Sequence, residues 1–117
     1  MLFKKKAPAV DPRIEERDEL YHRIARARTV LRSRVESALA HNLMLTVLPA
    51  DSTEYQATES ELKKTKQDVV EWMHSYQCCI DDIKKFAASN PGINANGDNF
   101  CSPQQFVLSI CKDSFKR

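Results

Sequence analysis

Glycine is nearly missing from this chain: two in 117 residues, Gly92 and Gly97, both in one stretch toward the C-terminus. Proline is absent between Pro12 and Pro49 and again between Pro49 and Pro91. With neither residue present, nothing in those two stretches breaks a helix. No run of 18 apolar residues occurs, so no transmembrane helix is expected. The opening Met1-Leu2-Phe3-Lys4-Lys5-Lys6 lacks the apolar core of a secretory signal, and position 2 is not glycine, which argues against myristoylation.

Neither sign of charge dominates. Eighteen Lys and Arg stand against sixteen Asp and Glu, a formal net charge of +2, which gives no global electrostatic case for nucleic acid. Motifs of catalysis are missing as well: no glycine-rich phosphate loop, no H-E-x-x-H, no nucleophile beside a conspicuous base. A calcium loop at Asn94-Ala95-Asn96-Gly97-Asp98 fails, because Gly97 at its sixth position puts Pro103 where the bidentate Glu belongs. The chain therefore reads as a non-enzyme without a cofactor.

What is present favours helix. Apolar residues make up 42% and charged residues 29%, rich in the straight-chain side chains that lose little freedom in a helix. Residues 1–10 read as a disordered basic leader. Asp11-Pro12 then reads as an N-cap followed by proline at the first helical position, with Glu15, Glu16, Asp18 and Glu19 on the positive end of the macrodipole. Ile14, Leu20, Tyr21, Ile24, Leu31, Val35 and Leu39 fall on one broad face, predicting a helix over about 12–47.

The second helix, over about 54–88, carries the clearest pattern. Leu62, Val69, Tyr76 and Ile83 recur every seven residues, and Met73, Ile80 and Ala87 form the offset series of an a/d seam. Thr53 with Gln56 fits a capping box at its start, and Asn90-Pro91-Gly92 stops it. After a loop, Ser102-Pro103-Gln104-Gln105 opens a third helix over 103–115, with Phe106, Val107, Ile110, Cys111 and Phe115 as its apolar face.

One single domain over 11–117 follows, all-α: a long antiparallel two-helix hairpin, coiled-coil-like, with a short third helix packed at the open end. A short link makes antiparallel neighbours, and a 13-residue helix covers only about 20 Å. The row Trp72, Cys79 and Phe86, seven apart beside the seam, is expected to form the floor under the third helix, with Trp72 the one best placed to touch a partner.

Two regions break the pattern. Leu43-Met44-Leu45-Thr46-Val47-Leu48 is apolar around the full circumference of a helix. Contiguous apolar surface at a hairpin tip marks an interaction site, unless the segment leaves the helix and folds back over the hairpin. Arg28 falls in the seam with Ile24, Leu31 and Val35, where it needs a carboxylate of the second helix or a partner, because a buried unpaired charge is costly. Asn42 occupies an equivalent inward position.

The expected function is that of a non-enzymatic helical adaptor or structural subunit of a larger multiprotein assembly. Its partner-binding residues would be Leu43, Met44, Leu45, Val47, Leu48, Trp72 and Arg28, acting through the tip and the coiled-coil seam on other, helical, protein subunits or a second copy. The alternative is an anionic-surface binder of RNA or an acidic cytoskeletal polymer, using Lys4, Lys5 and Lys6 with Arg23, Arg26 and Arg34 on one edge of the first helix. His74, Cys78 and Cys79 offer too few well-placed ligands for structural zinc, so no metal is assigned.

Four cysteines without a secretory signal point to reduced thiols and an intracellular, cytoplasmic or cytoskeletal setting. Cys101 and Cys111 have a spacing similar to that of the helical hairpins of the mitochondrial intermembrane space. Those need two such pairs; this chain has one, interrupted by Pro103.

Overall fold

The structure, a computed structural model, describes residues 11–95 and 100–115, the side chain of Phe115 excepted. The basic leader with Lys4, Lys5 and Lys6, and the Asn96-Gly97-Asp98 part of the loop, lie outside the described residues. Three helices make up the fold: α1 (Pro12–Val47), α2 (Thr53–Ser89) and α3 (Pro103–Phe115). No strand occurs among the described residues.

Each boundary has a local cause. The Asp11 carboxylate accepts the Arg13 backbone N–H, and the Arg13 guanidinium clasps it at 2.8 Å, holding the carboxyl below its usual range. At the far end Leu48 turns extended, its N–H still donating to Met44 O. The link is closed by Ser52, whose Oγ donates to Pro49 O at 2.7 Å and accepts the Tyr55 N–H at 3.0 Å. That makes Ser52 the cap of α2 and moves the start one residue ahead of expectation. Asn90 ends α2, its side-chain amide donating to Phe86 O, and Ser102 caps α3 by accepting the Gln105 N–H.

The two long helices, each about 55 Å, pack antiparallel along a seam of Leu20, Ile24, Ala27, Leu31 and Val35 against Tyr76, Ile80 and Ile83. Leu31, Tyr76 and Ile83 are fully buried. Burial of this kind contributes about 1.5–3 kcal/mol per large side chain, well above any of the surface ion pairs. α3 lies across both long helices at the open end, anchored by Phe106 and Ile110. The loop before it adds Ala95, which is buried, and Phe100, whose ring meets Tyr21 at 6.4 Å.

Two expectations about the packing are corrected. Arg28 is not buried in the seam: it is exposed, and its guanidinium carbon lies 5.1 Å from the centre of the Phe106 ring. The apolar stripe of α1 is broad enough to serve two neighbours. Arg28 sits on the edge facing α3, where a long side chain lays its stem on apolar surface and keeps its charge wet. Asn42 is likewise exposed.

Cys79 and Phe86, two of the row expected under α3, turn toward α1 instead. Cys79 lies beside Arg23 and Asp82, and Phe86 shares a surface cleft with Leu20 and Arg23. α3 instead meets Tyr76, whose ring packs edge-on to Phe106 at 5.6 Å, and lies beside Val69 and Val70. A seven-residue period places a row beside the seam but leaves open which flank the third helix takes.

Candidate functional site

The tip stays helical to Val47, so the segment does not fold back over the hairpin. Three of its side chains stand in solvent: Leu43 is 68% exposed, Met44 46% and Val47 72%. Leu45 and Leu48 are half-buried, and Leu45 shares a hollow with Leu62 of α2. The five residues singled out at the tip thus divide into three that face outward and two that are half-buried. The helix ladder explains the division. Leu45 lies seven and fourteen residues beyond Ala38 and Leu31 on the seam side, while Leu43 and Val47 turn away from it.

Alongside α3 the hairpin is open on one flank. A groove of about 390 Å³ lies there, its walls made by Val35, Leu39, Val69 and Val70 of the long helices and Val107 and Cys111 of α3. Val70 on its wall is 60% exposed. Lys66 lies on its rim and also lines the hollow with Leu45, so apolar surface runs from α3 toward the tip with lysine beside it. Trp72 is half-buried against the core. The seven-residue pattern alone does not disclose this groove. Its signal is the pair Val69-Val70, because only Val69 belongs to the seam and Val70 is left over.

The seam itself is consumed within the chain, since its large residues face each other across the hairpin. An outside partner would therefore meet the flank and the tip, not the a/d rows.

The arginines of α1 divide in a way the helical wheel did not disclose. Arg13 pairs with Asp11, Arg17 with Asp18, Arg23 with Asp82 at 3.2 Å, and Arg34 with Asp68 at 3.8 Å. Arg17 also donates to Asn94 O, tying α1 to the loop. Two of the three arginines assigned to an anionic surface, Arg23 and Arg34, are thus committed to α2 carboxylates. Arg26, Arg28 and Arg32 have no ion-pair partner among the described residues.

Tyr76 carries a buried hydroxyl with no hydrogen-bond partner among the described residues. Burial pushes its pKa up, and Cys101 and Arg28 are the neighbours it feels next. Cys101 is close, but a thiol is a weak partner and no hydrogen bond of good geometry forms. Cys79 is also pushed up by burial, against the opposing pull of Arg23. Such a thiol is a poor nucleophile.

Among the described residues no three His, Cys, Asp or Glu side chains come together as a metal set, and no helix is long and apolar enough to cross a membrane. Compared with known proteins, the chain matches no family model, no curated protein and no solved structure.

Proposed function

We propose that the chain is a non-enzymatic helical adaptor or structural subunit of a larger multiprotein assembly, held to its partners by the apolar hairpin tip and the groove that runs toward it. The observation that carries this reading is the outward placement of Leu43, Met44 and Val47 at the end of a rigid hairpin. Three large apolar side chains gathered at a tip cost free energy in water and gain it when a partner covers them. The hairpin seam supplies rigidity, so little conformational entropy is lost when the tip docks.

Native co-purification of the chain, followed by sedimentation velocity of the isolated protein, tests the reading. It predicts recovery in a complex larger than the monomer, whether with other subunits or with a second copy. A chain that sediments as a monomer and co-purifies with nothing contradicts it.

A further inference from the structure

We propose that Arg28 and Arg32, braced on the Phe106 ring, form a clamp for the carboxylates of an acidic segment on a partner protein. This rests on the assembly reading above and adds to it a second contact, distinct from the tip.

Both guanidinium carbons lie close to one ring, Arg28 at 5.1 Å and Arg32 at 5.5 Å from its centre. Four other arginines of α1 each face a carboxylate; these two face none among the described residues. Like charges four residues apart on a helix repel, and the aromatic face offsets that only in part. A carboxylate placed between them would remove the repulsion. Guanidinium groups bind it through two parallel N–H donors, and groups already held on a ring lose little freedom in doing so.

The surroundings favour a protein over other anions. Phe106 is only 4% exposed and cannot stack on a nucleotide base. Two or three cations on a chain of net charge +2 are also few for a polyanion or a lipid surface.

Fluorescence anisotropy of the full chain with a fluorescein-labelled peptide of leucines alternating with glutamate pairs tests the clamp. Binding is expected at low salt and should weaken as salt is added. Arg28→Gln combined with Arg32→Gln should weaken it at least tenfold, with helical circular dichroism unchanged. Lysine at both positions, keeping charge but losing the fork, should give an intermediate loss. Arg26→Gln, on the opposite side of α1, should change nothing. The proposal is overturned if the wild-type chain does not bind, if the double Gln variant binds equally well, or if a labelled oligouridylate binds more tightly through the same arginines.

The two readings fail separately. If Leu43→Glu with Val47→Glu abolishes assembly while the arginine variant alters neither assembly nor peptide binding, the clamp is wrong and the tip stands. If the arginine variant loses the peptide and the tip variant assembles normally, the tip is wrong and the clamp stands.

Discussion

The guanidinium of Arg28 lies over the ring of Phe106, 5.1 Å from its centre, so an arginine patterned to face inward meets an aromatic side chain where a carboxylate was expected. Phe106 is itself buried and packs edge-on against Tyr76. One ring therefore joins all three helices. Phe106→Ala should cost about 3–5 kcal/mol, the usual range for deleting a buried aromatic side chain. Because α3 has few other anchors, hydrogen exchange along it should accelerate more than in α1 or α2. Urea denaturation and amide exchange check both halves of this expectation.

The long helices could be read from the sequence because their signals are local. Pro12 and the acidic first turn start α1, the a/d series runs through α2, and Ser102-Pro103 opens α3; each agrees with the observed boundary to within about one residue. The position of α3 could not be read this way. Nothing local distinguishes the flank carrying Val69 and Val70 from the flank carrying Cys79 and Phe86. The choice is made by contacts distant in sequence, such as Phe106 with Tyr76 and Arg17 with Asn94. The burial of Ala95 within a loop of polar residues was equally invisible. At the candidate site, the apolar run of the tip was legible. Which of its residues point outward depended on where α2 lies.

Tyr76→Phe removes a hydroxyl that is buried with no hydrogen-bond partner among the described residues. Leaving such a group unsatisfied costs about 1–3 kcal/mol, so the phenylalanine variant should be more stable by about 1 kcal/mol. Chemical denaturation measures it. A loss of stability instead would mean that the Cys101 thiol is a true partner.

Ser52→Ala removes the hydroxyl that both accepts the Tyr55 N–H and donates to Pro49 O. It should lower stability by about 1 kcal/mol and fray the first turn of α2. Thermal melts of the variant check the size. Exchange at Tyr55 checks the place.

The cysteines should separate by environment. Cys78 and Cys101 are exposed and Cys79 is buried, so at neutral pH a disulfide reagent should modify the first two quickly and Cys79 only on unfolding. The pH dependence has a definite sign. Burial raises the folded pKa of Cys79 above its ordinary 9.0 and that of Tyr76 above 10.0. Below those values both folded and unfolded chains keep the proton, and the stability is complete. Above them the unfolded chain ionises first, so stability should fall as pH rises from about 9 through the folded pKa values. Cys79→Ala should flatten the earlier part of that decline in denaturation midpoints measured at successive pH values.

Substitution at the tip tests the central claim most directly. Leu43→Glu with Val47→Glu changes only exposed positions and should leave the melting temperature nearly unchanged, whereas Leu45→Glu, in the hollow beside Leu62, should destabilise the hairpin. The deciding measurement is quantitative native co-purification of the wild-type chain beside the Leu43→Glu, Val47→Glu variant. A tip that docks predicts at least a tenfold loss of the co-purifying subunits with the variant fully folded. Recovery of the same subunits in the same amounts would contradict it.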